Sequence, residues 1–449
     1  MSAQTISPPV AHAGESAEVA RAATAWTHIW RALEALLPAR PQRLLWVLLM
    51  VSCVLRMWWL VQPEGGLVFD EDFYVRSARV ILAIPLEGER YADRPVGLDP
   101  NTEHPPLAKL MAAGSMRVLG DNPFGWRMPS VALGMGSILL LYGIAQRLGA
   151  GRGVALAAAG LFAFDNLVFV HSRILTLDIY QLAFMLLGLY WYVSGRPVLA
   201  GVGFALAALS KIGGAFGLPA LAVYEALLVI RGGQGWREAW RPAVGRLLRM
   251  GVVFAAVFLV LLGVMDRIWV GYDSPLDHVQ RIISYGVDLR RPDGPSDIES
   301  YPWQWLWNDN QIAYSTVSQD VQTEDGTVLE TRPLIAFRGA MNPFVLQLWP
   351  LGLSFAGYAW WRRRAGLELA ALALAWFACT YLPFWAATLL TQRISYIFYF
   401  LPTVPAVALA GGYFLLRSGL PRPVLWMYAI AVLLGFYGYF PFKFYGFSG

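Results

Sequence analysis

Eleven apolar runs constrain this chain more than any other feature, at about 44–61, 128–146, 153–171, 174–194, 198–213, 215–230, 248–268, 343–361, 367–388, 394–416 and 424–442. A helix crosses a bilayer in roughly 20 residues at 1.5 Å per residue, so most of these runs are long enough to span, and the shorter ones also suit re-entrant segments. Composition points the same way. The chain is 57% hydrophobic and 14% charged, against about a quarter charged for a soluble domain. The expected class is an all-α polytopic membrane protein of about eleven transmembrane helices. Residues 44–442 would form the membrane domain, between a 1–43 tail and a short 443–449 tail.

Within the first tail, Val19, Ala23, Trp26, Ile29, Trp30, Leu33 and Leu37 fall near helical spacing. This predicts an amphipathic helix over Glu18–Leu37, lying on a membrane surface. The tail lacks the basic start, apolar core and small-residue cleavage site of a removable signal peptide, so the first span is expected to anchor the chain. Arg56 inside that span is expected to snorkel or to face the bundle. Cys53 and Cys379 lie in apolar runs and are too few for a disulfide framework. The sequence pI of about 9.1 does not imply nucleic-acid binding, because the positive charge is spread over short loops between spans.

Those loops orient the chain. Arginines gather in alternate connections, at Arg147 and Arg152, at Arg196, from Arg231 to Arg249, at Arg362–Arg364, and at Arg417 and Arg422, with few acids among them. The positive-inside rule then makes the N-terminus cytoplasmic. The two long connections, 62–126 and 269–342, carry more acids than bases and would lie outside. In a bacterium this is the plasma (inner) membrane, with the outward face toward the periplasm or exterior.

The first long connection opens with Leu67-Val68-Phe69-Asp70-Glu71-Asp72-Phe73-Tyr74. Ionised carboxylates so close to a membrane face are costly unless each has a partner or a task, although three acids in a loop also suit a solvated face. A short interfacial helix is predicted after them, from Phe73, Ser77, Val80, Ile81 and Ile84, and a second over Leu107–Leu119, released by Pro105 and Pro106. In the second connection, Gln311–Val321 and Thr327–Phe337 are predicted to pair as strands across Glu324-Asp325-Gly326, with support from the membrane domain.

Further charged residues cluster near the same face: Asp165 and Asn166 at the end of the third span, His171, Arg173 and Asp178 in the turn that follows, Arg127, Arg393 and Lys211. Asp165–Arg173 or Arg173–Asp178 would suit a structural clamp, and the same residues would suit chemistry. Arg127, Arg393 and Lys211 would either anchor at headgroups or bind a lipid phosphate. Carboxylates, cations and an aromatic loop on one face are what transfer from a lipid-linked sugar phosphate requires: cations for the departing phosphate, a carboxylate for the attacking hydroxyl, rings for sugar or acceptor. No Gly-rich phosphate loop of the nucleotide-binding type is present. His104, His171 and His278 lack close ligand spacing, so no metal site is expected; nothing in the sequence requires a cofactor, and a divalent cation has no support.

These pieces have a familiar order. Asp70-Glu71 after the first span, His104-Pro105-Pro106-Leu107-Ala108-Lys109, Asn122 to Pro129 with Gly125-Trp126-Arg127, Asp165-Asn166 with Ser172 to Asp178, and Arg393 to Pro402 resemble the protein O-mannosyltransferases, especially their bacterial members. The resemblance implies the GT-C membrane architecture. It also implies inverting transfer of mannose, or a similar hexose, from a polyprenyl-phosphate donor to a Ser or Thr hydroxyl of exported proteins. By matching positions Asp70 would be the essential carboxylate and Glu71 its neighbour, with Arg127 and Arg393 at the donor phosphate, where Lys211 is a further candidate from its place in the fifth span. His104, Asp165, Asn166, Arg173 and Asp178 would support the site. Residues 269–342 are too few for the β-trefoil insert of the eukaryotic enzymes, and Ala108 stands where the family more often has Gly.

Two other readings fit parts of the pattern. The same chemistry could act on a glycolipid or envelope polysaccharide, and a transporter or lipid flippase could also need buried charges in many spans. Paired charges in broken spans near the midplane would mark transport, whereas charges gathered at one outer face mark transfer. The sequence has the second pattern.

Overall fold

Backbone amides and carbonyls have no water to bond inside a bilayer, so apolar runs satisfy them internally as helices. The computed structural model describes residues 41–231, 236–322 and 328–443. Each of the eleven apolar runs meets helix there. The first is Pro41–Met57 (α1), whose opening residues belong to a separate unit ending at Leu48, while the other described residues, 49–443, belong to the larger unit. The predicted Glu18–Leu37 helix, the Glu324–Gly326 turn and the tail beyond Lys443 lie outside the described residues.

After α1 come Glu71–Ile81 (α2), Leu107–Leu119 (α3), Pro123–Arg147 (α4), Arg152–Ala163 (α5), Asn166–His171 (α6), Leu177–Val193 (α7) and Pro197–Ser210 (α8). A 3-10 turn, Ile212–Phe216, leads into Gly217–Arg231 (α9), and Trp236–Met265 (α10) ends in a π-helical turn, Asp266–Val270. Then follow Pro275–Asp288 (α11), Pro302–Trp305 (α12), strands Ile312–Gln322 (β1) and Val328–Gly339 (β2), Pro343–Leu346 (α13), Leu348–Trp361 (α14) and Leu367–Thr391 (α15). A second 3-10 turn, Ile397–Thr403, precedes Val404–Arg417 (α16), and Arg422–Gly438 (α17) closes the described chain. Among the described residues, five helical stretches are long and apolar enough to cross a membrane by length and composition.

Packing joins sequence neighbours and elements distant in sequence alike. α7 lies along α8 and α4, α8 along α10, α5 against α16, and α9 against α15. Small residues set the closest approach: a Cβ added at Gly203 on α8 would stand 2.6 Å from the Gly188 Cα on α7. Both short helices form where helix was predicted, α2 over Glu71–Ile81, which ends before Ile84, and α3 over Leu107–Leu119. They pack on each other and α3 packs on α4, so a platform of short helices caps the bundle.

Two breaks shape the interior. The third apolar run does not continue as one helix to His171, because Asp165 leaves the helix and accepts a hydrogen bond from the Val168 amide (3.1 Å), starting α6 anew. The fifth run stops at Ser210, where Lys211 is extended (φ −158°, ψ 131°). The hairpin has β1 and β2 antiparallel from Ile312↔Gly339 outward, within two residues of the predicted bounds, with irregular register near Tyr314, Ser318 and Gln322. An isolated two-stranded ribbon is marginal in water. Here the Ala336 amide donates to the Pro441 carbonyl (2.7 Å) and the Lys443 amide to that of Leu334 (2.9 Å), which fixes the inner part of β2.

Asn342 joins the hairpin base to the bundle. Its Nδ2 donates to the carbonyls of Phe164 (2.9 Å) and Val432 (2.8 Å), and its own amide donates to Asp165 (3.0 Å). Asn342→Ala strands two buried acceptors, each costing about 1–3 kcal/mol. It should therefore lower the unfolding temperature in detergent by several degrees; an unchanged transition would mean that other donors serve those carbonyls.

Candidate active site

The acidic motif opens on a cavity of about 820 Å³, walled by α2, the 90–104 loop, α11, the end of α15 and the Tyr396–Tyr399 segment. Asp70 occupies the N-cap position of α2 and lines this cavity. The residue before it, Phe69, has φ +55°, an uncommon conformation for a side chain with a Cβ. Its ring is stacked on Tyr314 of β1, with centroids 4.1 Å apart, and meets Phe398 edge to face. The aromatic clamp thus holds the turn that presents Asp70. Burial pushes the Asp70 carboxyl up to about 7, against the opposing pull of the Lys211 ammonium, while nearby Asp178 adds to the rise.

Glu71, one residue on, faces the other way and is fully buried. Oε1 and Oε2 accept from Arg127 Nε (2.8 Å) and Nη2 (2.7 Å), and also from the amides of Leu175 (2.9 Å) and Val68 (2.8 Å). Arg127 spends its remaining donors on the carbonyls of Leu60, Gln62 and Gly66. The pair ties α2, α4, the 60–66 turn and the approach to α7 together. Arg127 does not line the cavity, and Leu60, Gln62, Gly66 and Glu71 occupy the guanidinium that sequence reasoning offered to a phosphate.

Cations do reach the cavity from elsewhere. Lys211 lines it, with Nζ 2.7 Å from Asp178 Oδ1 and about 5 Å above the rings of Phe398 and Tyr399. Arg393 lines it from the opposite side; its Nε is buried without an acceptor, and it pairs with no carboxylate among the described residues. Arg90 is a third, held by Asp72 at 2.8 Å with its guanidinium over Phe73. Asp72 also binds Arg76 (2.7 Å), so it is a paired acid and not a bare solvated one.

His104 lines the cavity with Nδ1 buried and unpartnered, and burial together with nearby Lys211 and Lys109 lowers its pKa well below the usual imidazole value. A neutral ring results. Behind it, Lys109 is buried against Asp99 (2.5 Å) and donates to the carbonyls of Asn101 and His104, which fixes the loop carrying His104.

Asp165, Asn166 and Arg173 lie away from the cavity lining. Asp165 caps α6, Asn166 donates to the Phe436 carbonyl (3.0 Å), and Arg173 donates to the carbonyls of Leu55 (2.7 Å) and Trp58 (2.5 Å) at the end of α1. Neither clamp considered from sequence forms: Arg173 pairs with carbonyls, and Asp178 pairs with Lys211. Arg56 does face the bundle, bonding Ser52 and the Ala163 carbonyl. His171 bridges Thr176 (2.8 Å) and the Tyr314 hydroxyl (2.9 Å), linking the bundle to the hairpin.

Sequence reasoning passed over the wall formed by α11, which contributes Ile282, Ile283 and Tyr285. Its start was readable, since Ser274 accepts from the Leu276 amide and Pro275 holds the first helical position. Tyr74 and Tyr399 were also missed; both are cavity-lining phenols, and burial holds the Tyr74 hydroxyl well above its usual pKa.

This architecture is shared with known transferases. The fold matches a chain of the Saccharomyces cerevisiae protein O-mannosyltransferase Pmt1–Pmt2 complex, solved with the sugar donor, at a TM-score of 0.69 over 90% of each chain with 12% identity. It also matches ArnT from Cupriavidus metallidurans, at 0.52 over 91% of this chain and 62% of that one with 16% identity. It is a GT-C membrane fold. Residues 103–263 match the family model of dolichyl-phosphate-mannose-protein mannosyltransferases. Polyprenol-phosphate-mannose–protein mannosyltransferases of Corynebacterium glutamicum and Mycolicibacterium smegmatis are 34% and 31% identical over 125 and 121 residues, 27% of this chain in each case. The chain spans about a quarter of the length of these curated relatives, 24% and 22%. The matched segment is thus similar in sequence to the protein O-mannosyltransferases, and the chain shares their membrane fold.

The two arginines should now behave differently. Removing one partner of a buried ion pair typically costs about 3–5 kcal/mol, so Arg127→Ala should reduce folded yield and the unfolding temperature. Arg393→Ala should leave both near the parent, because it breaks no ion pair. Size-exclusion and thermal profiles of the two variants decide this; equal profiles would mean that the Glu71–Arg127 pair does not hold the fold.

Proposed function

We propose that this protein transfers mannose, or a similar hexose, from a polyprenyl-phosphate donor to a Ser or Thr hydroxyl of exported proteins, with inversion at the anomeric carbon. One observation carries the reading: Asp70, a carboxylate desolvated to the edge of neutrality, faces the same cavity as Lys211 and Arg393, the latter with no carboxylate partner among the described residues. The cavity volume is in the range of small-molecule sites, and the family-model match over residues 103–263 and the fold support the donor class.

In this mechanism Arg393 and Lys211 hold the donor phosphate, and Arg127 holds the protein together. The acceptor oxygen attacks the anomeric carbon as its proton passes to Asp70. The bond from that carbon to the phosphate oxygen breaks, and its electron pair leaves on the polyprenyl phosphate, where the two cations stabilise the developing charge. Glu71 cannot take the proton because Arg127 and two amides already occupy its oxygens. Asp70, with a pKa near the working pH, suits general-base duty.

Incubating purified protein with radiolabelled polyprenyl-phosphate mannose and Ser/Thr peptides tests the transfer itself. Asp70→Asn should cut the rate by roughly 10²–10⁴-fold, while Asp72→Asn should have a much smaller effect. A base works only when ionised, so the parent rate should climb as pH rises through about 7 and level off above it. The Asn variant should lose that limb. A flat parent profile, or full activity in Asp70→Asn, would remove Asp70 from this role.

The same reading orients the protein, with Arg363 in the cytoplasm and the hairpin outside. In a background with Cys53 and Cys379 replaced by Ser, an impermeant thiol reagent on intact cells should label Asp320→Cys and spare Arg363→Cys. The reverse pattern would invert the topology and move the site to the cytoplasm.

A further inference from the structure

The two edges of the hairpin are unequal. The inner part of β2 is covered by Pro441–Lys443, and Pro333 within it removes one donor. β1 packs principally on β2, and among the described residues no backbone hydrogen bond reaches its outer edge. Thr316 through Asp320 are exposed there. Proteins ordinarily blunt such an edge with Lys, Pro or inward charges, because it invites another chain to pair. From Ile312 to Asp320 this strand reads Ile-Ala-Tyr-Ser-Thr-Val-Ser-Gln-Asp, with no Lys, Arg or Pro and a single acid at the far end.

The root of β1 adjoins the transfer site. Tyr314 is stacked on Phe69, the neighbour of Asp70, and its hydroxyl is fixed by His171. A chain paired along the outer edge of β1 would therefore be guided toward the cavity where Asp70 lies.

We propose that the outer edge of β1 is the docking track for the acceptor, an extended polypeptide segment that adds to β1 as a third strand and delivers its Ser or Thr to Asp70. This deepens the reading above and rests on it. Strand addition draws its affinity from main-chain hydrogen bonds. The site would accordingly take hydroxyl-bearing segments of varied sequence, provided they are extended and free of proline along the track. A second copy of the chain pairing edge to edge is the rival occupant, and the experiment separates the two.

The test uses the full-length protein in nanodiscs, polyprenyl-phosphate mannose, and two acceptors: an end-blocked Ser tripeptide, and an extended peptide of about twelve residues, enough to follow the eleven-residue strand at about 3.3 Å per residue. Single backbone N-methyl groups are walked along the long peptide. Because a paired strand directs alternate amides toward its neighbour, KM should rise several-fold to about tenfold at every second position, with kcat little changed. Thr316 lies opposite Ala336, whose amide faces Pro441, so the Thr316 amide faces the outer edge. Thr316→Pro in the enzyme should raise KM for the long peptide similarly and leave tripeptide turnover intact, which also reports that the variant is folded. An N-methyl scan without period two overturns the proposal. So does a Thr316→Pro variant that turns over the tripeptide normally and keeps the parent KM for the long peptide, or that only dissolves a cross-linkable dimer. If Thr316→Pro fails to fold, the N-methyl scan on the parent decides alone. Failure of the glycosyl-transfer reading would look different, as absence of transfer to either acceptor.

Discussion

The Glu71–Arg127 pair is the interaction on which the site depends. A buried carboxylate and guanidinium each carry a large desolvation cost, which their attraction offsets only when the remaining donors and acceptors are also filled. Here two amides complete Glu71 and three carbonyls complete Arg127. The partners come from three regions that are far apart in sequence: the turn after α1 leading into the head of α2, the head of α4 and the approach to α7. With Glu71 turned inward, the helix it begins has its N-cap, Asp70, at the cavity. Adjacent acids thus divide the work, one spent on geometry and one left at the cavity wall.

The arrangement of cations follows a similar economy. Arg127, Arg56 and Arg173 are buried and largely committed to protein acceptors, while the guanidinium of Arg393 has no carboxylate beside it among the described residues. A guanidinium left that way at a cavity wall keeps the planar fork that matches phosphate. Lys211 is intermediate, bound to Asp178 yet open to the cavity. An anion entering beside it would compete with Asp178 for the ammonium, and charge at Asp178 also bears on Asp70. Anion binding beside Lys211 and the basicity of Asp70 would thereby be coupled through one lysine.

Much of this was legible in the sequence because it rests on local pattern. Apolar runs gave the helices, Pro105-Pro106 gave the start of α3, and alternation with a turn gave the hairpin strands within two residues. Asp70 and Glu71 stood out as acids where acids are costly. What could not be read was direction and pairing. Nothing in Asp-Glu-Asp says that the middle residue turns inward while the third binds Arg76 and Arg90, because α2 sets those azimuths only once it docks on α3. Arg127 looked like a phosphate ligand for the same reason: an arginine at the head of a span carries one signal whether it meets a headgroup, a substrate or a glutamate 56 positions away. The breaks inside apolar runs were also hidden, since Asp165 and Lys211 disturb hydropathy little while ending a helix.

The break at Lys211 shows how a small local change produces a site. Had α8 continued, residue 211 would have stayed in helix and its side chain would have followed the helix surface. The chain instead runs through Ile212-Gly213-Gly214 in a 3-10 turn. Glycine is required on steric grounds, because a Cβ at Gly214 would stand 2.4 Å from the Ala207 backbone, and one at Gly217 would stand 2.1 Å from the Phe204 ring. Folding that tightly against the helix it has just left, the segment ends α8 at the level of Asp178 and puts the Lys211 ammonium between that carboxylate and the rings of Phe398 and Tyr399. Close packing of glycines inside the bundle thus places a cation in the cavity, where its charge acts on Asp70.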